Sequence, residues 1–263
     1  MNTHYPMIKT QKIQLLLCAL CGIILSSCVS NKEILYFQDA DSFKETTVEY
    51  RENTVQPNDI LSVTISAAIP ETAIPYNRQS NTNFGTNLEI LKLQGYLVSP
   101  ESHISIPVLG KVIVKEQTTS ELELTIATLL ETGGHLVDPI VSVRLLNAKV
   151  TVLGEVARSG TFTFTEQYLS VPQALGYAGD LTINGRRDDV LLIRETDGVR
   201  SITHIDLTTA DWMENPEYMI KPNDVLVVQP NRAKVKTAGY VGNITTIVSI
   251  ASLILSATIL ITR

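Results

Sequence analysis

The sequence predicts an α+β fold, and three observations carry that prediction. Val, Ile and Thr are plentiful while aromatic residues make up 6% of the chain, a balance that favours strands built on branched side chains. Short apolar runs with period-two alternation recur between Gly, Pro and Asn turns, as in Ile140–Leu145. Among them lie stretches with the 3.6-residue period of a helix, the clearest being Ser120–Thr132.

In chain order, Lys9 and Lys12 precede an apolar run from Ile13 to Leu25, the layout of a secretory signal peptide. The run ends at Leu25-Ser26-Ser27-Cys28, which looks like a bacterial lipobox. The Cys28 thiol would receive diacylglycerol and become the first residue of the mature chain. Cys18 and Cys21 would leave with the peptide, so the mature chain would hold no disulfide and no cysteine metal site. Residues 28–53 are polar and acidic. They read either as a tether or as an arm whose Ile34-Leu35-Tyr36-Phe37 docks on the body as an edge strand.

A weak internal repeat follows. Pro57-Asn58-Asp59 and Pro222-Asn223-Asp224 each feed an apolar strand, and in each the acid reads as turn chemistry. Between them, residues 66–94 form a polar insertion, and strands resume near Tyr96, Ile104 and Val112. The helix Ser120–Thr132 takes Ser120 as cap, Leu122, Ile126, Leu129 and Leu130 as its apolar face, and Gly133-Gly134 as its stop. A first unit therefore covers 54–147. The second, 148–232, contains strands at Val150–Gly154, Gly160–Phe164, Val190–Arg194 and Val225–Val228. It also has a short helix near Val171–Ala178 with Pro172 in its first turn, and together these suggest a β-grasp-like arrangement. Arg186-Arg187-Asp188-Asp189 reads as a charged loop, and Pro230–Lys236 as a basic connector.

The last segment, 233–263, predicts a transmembrane helix. Val241–Thr262 has no charge, and as a helix it would be roughly 33 Å long, near the thickness of a bilayer core. Gly242, Thr245, Ser249, Ser252 and Ser256 fall on one narrow face. Such a stripe suits close helix packing or contact with water in a ring of helices. Either use needs a partner helix, most simply another copy of this chain.

These pieces resemble the Wza-like polysaccharide export outer-membrane lipoproteins. Pro57-Asn58-Asp59-Ile60-Leu61, Ser105 through Val112 and Asp138 through Val143 are similar to the polysaccharide export domain. Val152-Leu153-Gly154-Glu155-Val156, Ser159-Gly160-Thr161-Phe162 and Ala174 through Leu181 resemble an SLBB domain, a β-grasp ligand-binding module. The chain departs from the family at Asn58 and Asn223, where Gly is usual, and at Asp180, which stands where a second Gly is common. The resemblance implies an outer-membrane homo-oligomer, lipid-anchored through Cys28 with its bulk in the periplasm. Thr245, Ser249, Ser252 and Ser256 would line a pore for capsular or exopolysaccharide. It further implies an inner-membrane polysaccharide co-polymerase or export machinery as partner. The alternative is a periplasmic scaffold or polysaccharide-binding lipoprotein whose terminal helix is a plain anchor.

Composition argues against other classes. The net charge of −6, made more acidic by loss of Lys9 and Lys12, disfavours nucleic acid. There is no phosphate-binding loop and no Gly-x-Ser-x-Gly elbow, and His103, His135 and His204 lack metal-ligand spacing. The expectation is a non-enzyme with no cofactor and no metal.

Overall fold

The computed structural model describes residues 34–47, 50–78, 88–196, 198–238 and 244–262. It is a mixed α+β protein with two hydrophobic cores.

The first core lies under a three-stranded antiparallel sheet in the order β2-β1-β5, with β1 at Ile60–Ser66, β2 at Tyr96–Leu97 and β5 at Ile140–Leu145. Alternation sends Leu61, Val63 and Ile65 of β1 inward, and Val143 of β5 joins them. A hairpin of β3 (His103–Ile106) and β4 (Gly110–Ile113) adds Ile104, Ile106 and Val112. In the polar insertion, α1 (Pro70–Ala73), a 3-10 turn at Ile74–Tyr76 and α2 (Leu88–Gln94) are formed, so part of that segment is helical where a loop is expected.

Helix α3 (Thr119–Thr132) closes the first core with Leu122, Ile126 and Leu130. Its cap is Thr118, not Ser120. The Thr118 hydroxyl accepts from the Glu121 amide while the Glu121 carboxylate accepts from the Thr118 amide, which satisfies two end donors at once. Ser120 instead donates to the Glu52 carboxylate at 2.8 Å. Leu129 lies outside the buried face, 42% exposed.

The second core sits against a five-stranded sheet in the order β10-β9-β12-β6-β7. The strands are β6 (Lys149–Gly154), β7 (Gly160–Thr163), β9 (Gly185–Thr196), β10 (Val199–Ile205) and β12 (Val225–Pro230). β12 runs parallel to β6, and the other pairs in this sheet are antiparallel. A small ladder of β8 (Leu169–Ser170) and β11 (Met219–Ile220) and helix α4 (Val171–Tyr177) complete the unit. Ser170 and Gln173 form a capping box for α4, and Pro172 occupies its first turn.

Two expectations are corrected here. Arg186 through Asp189 belong to β9 rather than to a loop, and β9 is twelve residues long. Alternation buries Arg187 while Arg186 forms ion pairs with Asp188 and Asp189. β10, which sequence reasoning missed, pairs with β9 from Val199 to Ile205.

The predicted C-terminal span is corrected as well. Two helices occupy that region, α5 (Arg232–Ala238) and α6 (Ile244–Thr262). α6 is 19 residues, about 28 Å at 1.5 Å per residue, and seven of its residues are Ser or Thr. Among the described residues no helix is long and apolar enough to cross a membrane.

Gly154 ends β6 at φ +93, a conformation that side-chain-bearing residues rarely adopt, and a Cβ there would collide with the Val228 carbonyl of β12. Gly154→Ala should therefore destabilise the protein by about 3 kcal/mol, read as a lowered denaturant midpoint. A midpoint equal to that of the parent would contradict this packing.

Candidate functional site

The two Pro-Asn-Asp turns are built alike. Asn58 and Asn223 both take left-handed backbone, at φ 71 and φ 70, which Asn tolerates better than most residues. The Gln56 amide donates to Asp59 Oδ2 at 2.8 Å, and the Lys221 amide donates to Asp224 Oδ2 at 2.7 Å. Each acid is thus a turn acceptor, as the sequence implies.

Both turns are tied to the short segment that joins the units. Asn147 accepts from the Ile60 amide at 2.9 Å and donates to the Asn58 carbonyl at 3.0 Å. Two residues on, the Lys149 carbonyl accepts from the Asn223 amide at 2.7 Å, and the Thr151 amide donates to the Asp224 carbonyl at 3.0 Å. Leu145, just before this segment, packs against both cores.

Between the turns lies a groove of about 460 Å³. Arg51, Glu52, Asn53, Gln56 and Asp59 line it from the arm and first turn. Arg194, Glu217, Tyr218, Lys221 and Asn223 line it from the second unit. Its amides, hydroxyls and mixed charges suit a hydrogen-bonding ligand better than an apolar one.

The two acids differ in their surroundings. Asp224 is 1% exposed and takes a guanidinium fork from Arg194, at 2.9 Å to Oδ1 and 2.6 Å to Oδ2. Arg194 also reaches Glu217 and the Met219 carbonyl. Burial pushes the Asp224 carboxyl up, and the fork pulls against it. Asp59 is 5% exposed, and among the described residues no Lys, Arg or His pairs with it. Burial pushes its carboxyl up to about 6, with the Gln56 amide opposing. Sequence reasoning missed Arg194. The signal was present: Val190, Leu192 and Arg194 share the inward face of one strand, and an inward Arg demands buried acids.

Of the sequence-predicted site residues, Cys28 lies outside the described residues. Thr245 is within α6, and Ser249, Ser252 and Ser256 are exposed on one arc of the same helix. The Ser252 hydroxyl donates to the Ser249 carbonyl and the Ser256 hydroxyl to the Ser252 carbonyl, each at 2.9 Å. The three histidines lie on separate elements. His103 bonds Ser99, His135 bonds Tyr76 and His204 bonds Asp189.

Comparison with known families matches residues 47–146 to the polysaccharide biosynthesis/export protein model. This segment is a polysaccharide export domain. It takes in the first core, the first Pro-Asn-Asp turn and the arm side of the groove. No curated protein matches the chain. The match links residues 47–146 to polysaccharide biosynthesis and export, and Asp59 of this segment faces the second unit across the groove.

Removing the Arg194 fork should cost about 3–5 kcal/mol, because Asp224 would stay buried without its cation. Arg194→Met should show this in equilibrium unfolding. Adding Asp224→Asn should restore part of the loss, since an amide oxygen still accepts from Lys221. Asp59, which lacks such a fork among the described residues, makes stability depend on pH. Its folded-state pKa lies above the unfolded value, so folding favours the protonated form, and stability falls as pH rises from about 4 through about 6. Asp59→Asn should remove that fall, leaving the variant about 1–3 kcal/mol better off relative to the parent at pH 7 than at pH 4. Parallel pH profiles for the two proteins would refute the assignment.

Proposed function

We propose that the chain is an outer-membrane lipoprotein that assembles as a homo-oligomeric ring and passes capsular or exopolysaccharide across the cell envelope. The observation that carries this reading is the export domain at residues 47–146. Lipid on Cys28 anchors each protomer, and the globular units stand in the periplasm. The second unit, with its mixed sheet and single capped helix, serves as an SLBB-like module beside the path of the polymer. Inner-membrane co-polymerase or export machinery hands the polymer to the ring.

The terminal helices of several copies gather around the exit path of the polymer. No single α6 is long and apolar enough to cross a bilayer. In a ring, its hydroxyl face turns inward and neighbouring helices cover the rest. Neutral hydroxyls then offer hydrogen bonds along the passage without trapping a charged polymer. Catalysis has no part in this scheme, and the groove and helix act by binding and conducting.

A second reading keeps the chain as a periplasmic scaffold or polysaccharide-binding lipoprotein with α6 as a plain anchor. One observation favours it: Ser252 and Ser256 already satisfy their hydroxyls on their own helix. Extraction in mild detergent separates the two. The channel reading expects a discrete oligomer, and a stable monomer would overturn it. Ser249→Leu with Ser252→Leu should lower surface polysaccharide about tenfold if these residues line the passage. Unchanged export in that variant supports the anchor.

A further inference from the structure

Both routes from this protein to a membrane leave the same corner of the second unit. On the N-terminal side, the Tyr36 hydroxyl donates to Asp180 Oδ1 at 2.6 Å and the Arg187 guanidinium lies over the Tyr36 ring at 4.9 Å. The Phe37 amide donates to the Leu207 carbonyl, and the Phe37 ring stacks on Trp212 at 6.0 Å. Tyr36 is eight residues past Cys28, a reach of at most about 28 Å of extended chain. On the C-terminal side, the Asn231 amide donates to the Asn184 carbonyl at 2.6 Å and its side chain donates to the Ile183 carbonyl at 3.1 Å. Asn231 Oδ1 also accepts from the Lys234 amide, which fixes the start of α5 to that loop. Residues 180–184 therefore hold the strap from the lipidation site and the exit toward α6 together.

The surface beside this loop has a distinct chemistry. Leu35, Ile183 and Val235 are 53%, 69% and 59% exposed. Arg232 and Lys234 stand among them, and α5 contains no acid. Two acids beside this loop, Asp180 and Glu155, are engaged within the protein. Asp180 accepts from Tyr36 and from the Leu181 amide, and Glu155 accepts from Thr182 and lies 4.0 Å from Lys234. Apolar side chains flanked by bases fit the boundary of a phospholipid bilayer, with apolar tips at the acyl edge and cations at the phosphates.

We propose that Leu35, Ile183, Val235, Arg232 and Lys234 form a bilayer-contact face that meets anionic phospholipid headgroups. The inference rests on the anchoring reading above, because it needs the Cys28 lipid to hold this corner near the membrane. The tether raises the local concentration of headgroups, so weak contacts suffice to orient the second unit toward the bilayer. The export domain then extends away from it.

The test uses the full lipidated chain in vesicles of phosphatidylcholine and phosphatidylglycerol with brominated acyl chains. Ile183→Cys and Ile140→Cys are labelled separately with a polarity-sensitive fluorophore, position 140 being exposed at the far end of the β1–β5 ladder. The label at 183 should be quenched about fivefold more than the label at 140. Arg232→Glu with Lys234→Glu should cut quenching at 183 about twofold, and high salt should do the same. Protein that sediments with vesicles but shows equal quenching at the two positions overturns the face and leaves the anchor standing. Protein that fails to sediment overturns the anchor and the face with it. A label at 183 that is shielded from iodide yet dark to brominated lipid is covered by protein, and that also overturns the assignment.

Discussion

The rest of the structure depends on a handful of hydrogen bonds between the inter-unit segment and the two Pro-Asn-Asp turns. Asn147, Lys149 and Thr151 bond both turns within a stretch of five residues. A joint of that length would act as a hinge if its polar groups faced water. Here they are used up on the turns, and Leu145 belongs to both cores. The two units are therefore locked to one another, and the groove between them has a set width. Each turn contributes a left-handed Asn, which aims a carboxylate back at its own loop and frees the following strand to pair.

The same turn is used in two electrostatic settings. In the second unit the buried acid is matched by Arg194, so the site is a closed structural unit. In the export domain the equivalent acid has no such partner among the described residues and faces the groove. Duplicating a turn without its guanidinium leaves one carboxylate whose charge is set by solvent access and by whatever enters the groove. This asymmetry makes the export-domain side of the groove responsive and the opposite side fixed.

How much was legible in the sequence follows from which signals are local. The α3 helix shows a clean 3.6-residue period, and β5 and the starts of β1 and β12 show alternation beside strong turn residues. The α3 cap was misplaced by two residues because Thr118, Ser120 and Glu121 all suit a helix start, and only the reach of Glu52 decides which takes which role. β9 was read short and β10 missed because their outward positions carry Arg186, Asp188, Arg200 and His204, charges that look like loop in a linear scan. The inward position of Arg194 is legible from alternation, but its pairings and the groove are not. The partners are 23 and 30 residues away or in the other unit, and a linear pattern holds no trace of such pairings. The terminal helix is overestimated from sequence, because an uncharged run reads as apolar although seven of the 19 residues of α6 are Ser or Thr.

The strap has a consequence for the order in which this protein matures. Asp39 accepts from the Ala210 amide across 171 residues of chain. Tyr36 and Phe37 are made early in the chain, yet the Leu207 and Trp212 that Phe37 docks on are made late. Until Trp212 and Leu207 are in place, Phe37 has nothing to bind. Completion of the second unit then draws the arm in. The arm thus docks only once the second unit is complete, and closure of the N-terminal side is a late step of folding.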